Sequence, residues 1–105
     1  MEIDWQDISM QIITHSGTAK TNAVMAIRSA KEFNFSKAEE LIESAETEMN
    51  KAHNAHMDIV VHEAQGNDLE YKLLFVHAED QLLNTQTIIL LAKEMIEMYK
   101  IIEKK

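Results

Sequence analysis

The sequence predicts an all-α protein, a single domain spanning residues 1–105 and folded as an antiparallel three-helix bundle. The chain contains no proline and only two glycines, so it has few positions at which a helix must end. Residues that favour strands are scarce, and Ala, Glu, Lys, Leu, Ile and Met dominate. Apolar residues recur every three or four positions along three segments, near 5–33, 37–64 and 69–103. The short connections between these segments make antiparallel neighbours the expected arrangement.

Composition limits the kinds of site that the chain can hold. Because it lacks cysteine, it cannot form disulfides, thiolate zinc sites or cysteine nucleophiles. The net charge of −8 disfavours binding to nucleic acid and anionic membranes, and it suits basic protein partners. Residues 1–5 are acidic and lack a signal-peptide pattern, and no apolar stretch approaches the roughly 18 to 20 residues that span a bilayer. We therefore expect a soluble cytoplasmic protein.

The first two predicted helices each carry one apolar row at the spacing of helix bundles. The row of the first helix comprises Trp5, Ile8, Ile12, Ser16, Ala19, Ala23, Ala26 and Ala30. Its small residues indicate that a neighbouring helix approaches closely. The row of the second helix comprises Ala38, Ile42, Ala45, Met49, Ala52, His56 and Ile59. Ser36 and Glu39 have the spacing of a capping box, which predicts that the second helix begins beside Ser36.

The third predicted helix differs because it is apolar on most sides. Gly66 suits the end of the second helix, and Asn67 with Glu70 favours the start of the third. Its first row comprises Leu69, Leu73, Val76, Asp80, Leu83, Thr87 and Leu90. The second row comprises Leu74, His77, Gln81, Asn84, Ile88, Leu91, Met95 and Met98, and the third comprises Phe75, Ala78, Leu82, Thr85, Ile89, Ala92, Ile96 and Tyr99. Two partner helices cannot cover three rows, so we expect copies of the chain to associate, in a number that periodicity leaves open.

His77 and Asp80 are polar residues one helical turn apart in an apolar run, so an imidazole and a carboxylate can act close together. A lone carboxylate is costly to desolvate. Asp80 therefore lies on an exposed edge, pairs with a lysine, or meets other copies of itself around a cation, for which oxygen ligands favour Mg²⁺ or Ca²⁺. His77, beside Gln81 and Asn84, is either a hydrogen-bonded core residue or a nucleophilic or acid–base imidazole.

The histidines of the second helix allow a different interpretation. His53 and His56 have the i, i+3 spacing of metal ligands, and His62 lies further along the same helix. A di-iron bundle would place a glutamate three positions before each ligating histidine, and none of these histidines has one. The pattern therefore disfavours a transition-metal site. Nothing in the sequence assigns a role to His15.

The segment around the third-helix histidine resembles a known family. Residues 76–82 read Val-His-Ala-Glu-Asp-Gln-Leu and resemble the Val-His-Ala-Gln-Asp-His-Leu motif of the lactose/cellobiose-type enzyme IIA of the bacterial phosphotransferase system. Residues 12–20 resemble the first helix of that family, in which an Ala-Arg pair stands where this chain has Ala-Lys. Residues 33–39, 51–53 and 63–66 resemble its first turn, its second helix and the loop before its third helix. These matches occur in order along most of the chain.

The resemblance implies a homotrimer of antiparallel three-helix subunits, which would use the surplus apolar rows. It implies that His77 accepts a phosphoryl group from the carrier protein HPr and passes it to a cysteine of a lactose/cellobiose-type enzyme IIB, for sugar uptake. It also implies that Asp80 from three subunits holds one Mg²⁺ per trimer. Gln81 and Asn84 are expected to donate hydrogen bonds to the phosphoryl group.

Two residues depart from the family motif, because Glu79 stands where the family has glutamine and Gln81 where it has histidine. Glu79 brings a negative charge near a residue that must carry a phosphoryl dianion, although helical geometry rotates it about 200° away from His77. The main alternative function is a non-catalytic helical scaffold or adaptor in which His77 and Asp80 only pack or pair. A second alternative is a metal-storage or metal-dependent bundle built on the histidines of the second helix.

Overall fold

The computed structural model describes residues 2–105, which form three helices connected by short loops. The helices are α1 (Trp5–Lys31), α2 (Phe35–Ala64) and α3 (Leu73–Lys104), and the described residues contain no strand. The bundle is a rod measuring 56 × 20 × 19 Å. The predicted all-α fold with three long helices is therefore confirmed.

Contacts between side chains give the direction of each helix. His15 and Asn22 of α1 contact Glu48 and Ser44 of α2 respectively, so residue numbers rise along one helix as they fall along the other. The same order relates α2 to α3, where the pairs are His56 with Glu79 and Glu39 with Lys100. Helix α2 is thus antiparallel to both neighbours, and α1 runs parallel to α3.

The start of α2 differs from the expected capping box. The helix begins at Phe35, and the side chain of Asn34 accepts a hydrogen bond of 3.2 Å from the backbone N–H of Lys37. Asparagine is among the best N-cap residues, and this one supplies the acceptor that was assigned to Ser36. Ser36 consequently lies inside the first turn.

The start of α3 also differs from the prediction, which placed it at residue 69. Gly66 has a φ of +95° just beyond α2, as expected for the end of a helix. Asn67 does not open α3, because its amide donates back to the carbonyl of His62 at 2.9 Å. Helix α3 begins at Leu73, and its N-cap residue Lys72 makes no capping hydrogen bond through its side chain.

One row of each helix is buried in the core. The buried residues of α1 are Ser9, Ile12, Ser16, Ala19, Ala23, Ala26 and Ala30, and those of α2 are Ala38, Ile42, Ala45, Met49, Ala52, Ala55 and Ile59. Those of α3 are Phe75, Ala78, Leu82, Thr85, Ile89, Ala92 and Ile96. The predicted rows of α1 and α2 are confirmed except that Trp5 and Ile8 are half-buried, Ser9 is also buried, and Ala55 takes the buried position expected for His56. In α3 the third of the predicted rows is the buried one, and its last residue, Tyr99, is half-buried.

The other two rows of α3 are largely on the outside of the bundle. The exposed large apolar residues of this helix are Leu73, Leu74, Val76, Leu83, Leu90, Leu91, Met95, Met98, Ile101 and Ile102. Exposure reaches 70% at Leu73 and 60% at Leu90. As predicted, two partner helices within one chain leave much of α3 uncovered. Within residues 2–105, no helix is long and apolar enough to cross a membrane.

Candidate functional site

His77 and Asp80 both lie on the exposed side of α3. Neither side chain has a hydrogen-bond or ion-pair partner among the described residues. A single chain therefore forms neither the buried, hydrogen-bonded His77 nor the lysine-paired Asp80 that the sequence left open. The imidazole of His77 is open to solvent on a rigid helix, where a second protein can reach it.

Helix α1 borders the row that contains His77. Gln81, one turn after His77, is half-buried, and its carbonyl oxygen Oε1 accepts a hydrogen bond of 3.4 Å from Nζ of Lys20. Asn84, one turn further, is exposed and has no partner within residues 2–105. The structure thus brings two amide side chains, both predicted, to the same face as His77.

The contact of Lys20 with this face of α3 was not predicted from the sequence. Lys20 lies 61 positions before Gln81 on a different helix, so no local spacing connects the two. The one signal was its place in the segment 12–20, where it stands in the position of the family's arginine. The sequence shows a positive charge at that position, but it does not show which way the lysine side chain points.

Glu79 lies on a different side of α3 from His77 and faces α2. Its Oε2 atom is 2.6 Å from Nε2 of His56, and the ring of His56 stacks on Phe75 with centroids 5.9 Å apart and planes at 19°. The carboxylate that replaces the family's glutamine is therefore held in a contact between two helices. This arrangement agrees with the rotation of about 200° expected for residues two apart.

The three histidines of α2 have separate surroundings. His53 is exposed and has no partner among the described residues, whereas the ring of His62 lies 3.4 Å from the amide of Asn67. With His56 paired to Glu79, the structure does not bring the three histidines of α2 together. Among residues 2–105, no group of three or more His, Cys, Asp or Glu residues is close enough to hold a metal ion.

A second histidine–glutamate pair joins α1 to α2. Nδ1 of His15 lies 2.7 Å from Oε2 of Glu48, and Lys51 donates to the other oxygen of the same carboxylate at 3.1 Å. The hydrogen bond from His15, followed by the one from Lys51, lowers the pKa of Glu48 below its ordinary value. His15 therefore has a structural contact that no pattern in the sequence indicated.

The fold and this face define a class of protein: a helical bundle that presents to solvent an imidazole with no partner among the described residues. A family model described as "PTS system, Lactose/Cellobiose specific IIA subunit" matches residues 7–100. The lichenan-specific phosphotransferase enzyme IIA component of Bacillus subtilis is 37% identical over 106 residues, covering 100% of this chain and 96% of that protein. The chain belongs to the lactose/cellobiose-specific IIA family of the phosphotransferase system, which confirms the resemblance.

Solved structures agree with this assignment. The crystal structure of the cellobiose-specific enzyme IIA from Bacillus anthracis superposes with a TM-score of 0.93 at 34% identity, covering 100% of this chain and 96% of that chain. The IIA(Chitobiose) structure solved in complex with HPr from Escherichia coli has a TM-score of 0.81 at 22% identity, covering 97% of this chain and 99% of that chain. The second likeness concerns the fold alone.

Proposed function

We propose that this protein is the phosphocarrier of a lactose/cellobiose-type sugar permease, and that it works in the cytoplasm. His77 accepts a phosphoryl group from phospho-HPr and passes it to a cysteine of the cognate enzyme IIB. Family membership supports the role, and one observation carries the choice of residue: His77 is an exposed imidazole without a partner among the described residues, on a helix whose outer side is largely apolar. His53 is also exposed and unpaired, but it lies on α2 outside the family motif.

The reaction consists of two displacements at phosphorus. In the first, a neutral ring nitrogen of His77 forms an N–P bond while the N–P bond of the HPr phosphohistidine breaks, and the HPr imidazole keeps the bonding pair. In the second, a cysteine thiolate of enzyme IIB forms an S–P bond while the bond to His77 breaks. Transfer through a loose transition state depends on alignment and on stabilisation of the equatorial oxygens.

The surroundings of His77 suit this chemistry. Helix α3 fixes the position of the imidazole, because its neighbours Ala78 and Leu82 are 0% and 1% exposed in the core. The amides of Gln81 and Asn84 lie on the same row and can donate hydrogen bonds to phosphoryl oxygens. The pairing of Glu79 with His56 keeps that carboxylate on the side facing α2. HPr is the proposed donor, and the net charge of −8 suits a partner with a basic surface.

We further propose that three copies of the chain assemble through α3. The exposed apolar residues of this helix support the proposal, since a surface of this kind marks an interface. The row Val76, Asp80, Leu83 and Leu90 is exposed along its whole length. A homotrimer would bury this row and place the His77 face beside a neighbouring subunit.

Asp80 is the proposed ligand of one Mg²⁺ per trimer. Its carboxylate is exposed and unpaired among the described residues, and hard oxygen donors are what Mg²⁺ prefers. The residues fit such an ion only when three copies meet, because one chain contributes a single carboxylate at this place. The ion would neutralise the charge of three neighbouring aspartates, and no step of phosphoryl transfer requires it.

The test is incubation with enzyme I, HPr and phosphoenolpyruvate, followed by measurement of the intact mass. We expect one acid-labile phosphoryl group per chain on the wild type and none on His77→Gln, with helicity and particle size nearly unchanged. His53→Gln is the matched control, an exposed histidine exchanged in the same way, and it should accept phosphate normally. A wild type that never changes mass with a competent donor would leave the scaffold function in place of the phosphocarrier.

A further inference from the structure

Lys20 differs from the other cationic residues of the bundle. Lys20, Lys72 and Lys100 are the three half-buried cations in the part of the chain that the structure describes. Lys72 pairs with Glu70 and Lys100 with Glu39, whereas Lys20 has no carboxylate of residues 2–105 within 4.0 Å. Its one contact is with a neutral amide at 3.4 Å, near the long limit of a hydrogen bond. In a chain with 18 acidic and 10 basic residues, this ammonium group is free to bind an anion.

The side chain of Lys20 extends towards His77. Helices α1 and α3 run parallel, and Thr85 donates a hydrogen bond to the carbonyl of Ser16, which places these two residues at the same level. On α1, Lys20 lies one turn after Ser16. Its Nζ atom nevertheless contacts Gln81, which lies one turn before Thr85 on α3. The lysine therefore reaches back along the bundle in the direction of His77. His77 precedes Gln81 by one turn on the same row of α3, so both residues lie on the side of α3 that borders α1.

The contact also orients the amide of Gln81. Because Oε1 accepts the hydrogen bond from Lys20, the two N–H bonds of Nε2 remain available as donors. A phosphoryl group on His77 carries a charge near −2 and three acceptor oxygens. An ammonium group that contacts Gln81, the residue one turn after His77, can neutralise part of that charge as a point charge, in the way that lysines bind phosphate elsewhere.

We propose that Lys20 is a phosphoryl-binding residue, which stabilises phosphorylated His77 by its charge and holds Gln81 with its donors towards the phosphoryl group. This inference rests on the proposed phosphorylation of His77. It adds a residue of α1 to a site otherwise built from α3.

The test measures the equilibrium between phospho-HPr and this protein, as the ratio of phosphorylated forms by intact mass at several salt concentrations. Lys20→Met and Lys20→Gln should lower the partition constant towards this protein roughly tenfold and weaken its dependence on salt. Lys20→Arg should retain most of the wild-type value. Lys37→Met is the matched control, since Lys37 is exposed on α2 and has no carboxylate partner, and it should behave as the wild type.

The outcomes separate this inference from the proposed function. If the wild type accepts phosphate and both neutral variants match it in partition and salt response, Lys20 does not bind the phosphoryl group, and the phosphocarrier function stands. If the wild type itself accepts none, the proposed function fails, and the inference fails with it. A loss shared by Lys20→Arg would also overturn the charge argument, because the positive charge is kept in that variant.

Discussion

Replacing Glu79 by glutamine, the residue usual in the family, should weaken the packing of α2 against α3. The change removes the carboxylate whose Oε2 atom lies 2.6 Å from Nε2 of His56, in a contact whose Glu79 and His56 side chains are 37% and 16% exposed. Exposed pairs contribute about 0.2 to 1 kcal/mol, and the half-buried imidazole places this pair near the upper end. A loss of about 1 kcal/mol lowers the Tm of a domain of this size by about 4 to 8 °C.

The same substitution should hardly affect phosphohistidine at His77. Residues two apart on a helix lie on nearly opposite sides, so the Glu79 carboxylate and the phosphoryl group are separated by about one helix diameter, ~12 Å. In water, two unit charges at that distance repel by about 0.3 kcal/mol, and physiological salt reduces this further because its Debye length is about 8 Å. Even for a dianion, the change in partition with phospho-HPr should stay below about twofold.

A double-mutant cycle measures both effects. Urea unfolding of the wild type, His56→Gln, Glu79→Gln and the double variant should give a coupling energy of about 1 kcal/mol. The partition of the phosphoryl group with HPr is measured for the same four proteins. A partition raised more than fivefold by Glu79→Gln would refute the reasoning, since it would mean that the carboxylate acts on His77 directly. A coupling energy near zero would show that the contact with His56 contributes nothing to stability.

Four further outcomes are expected. Light scattering at micromolar concentration should give a particle of roughly three times 12.1 kDa, and a monomer would remove the basis for a shared site. Asp80→Leu should keep or raise the Tm without divalent ions, because apolar replacement of clustered charges is often favourable, whereas strong destabilisation unaffected by Mg²⁺ would indicate a specific hydrogen bond. Glu48→Gln should destabilise at pH 7, and the difference should fade as the pH drops below 4.5 and through the lowered pKa of Glu48, so an equal loss at every pH in urea unfolding would contradict the role of the carboxylate. Leu82→Ala should cost about 3 kcal/mol in the same measurement, because Leu82 is 1% exposed, and a loss below about 1 kcal/mol would show that it is not a core residue.

The helices and their inward faces could be predicted because hydrophobic periodicity is a local property of the sequence. The third helix has three apolar rows, and periodicity alone does not show which row faces the core. The structure buries the row of Ala78, Thr85 and Ala92, whose small side chains allow α3 to approach the alanines of α1. Matching small residues on the two helices was the available signal.

The ends of the helices were less predictable, because neighbouring residues can compete for one cap position and one side chain can bond to either of two helices. Asn34 and Ser36 are both residue types that favour the N-cap position, and Asn34 occupies it in the structure. Asn67 could open α3 or close α2, and it donates to the carbonyl of His62. The competing hydrogen bonds differ little in energy, so sequence alone does not decide between them.

Contacts between helices explain the two departures from the family motif, which local spacing could not do. Glu79 and Gln81 are two positions apart and therefore lie on different sides of α3. Glu79 faces α2, where His56 pairs with its carboxylate, so this departure is accommodated by packing. Gln81 faces α1, where Lys20 contacts its amide on the row of His77. Glu79 thus belongs to the contact between α2 and α3, whereas Gln81 lies on the side of α3 that also carries His77.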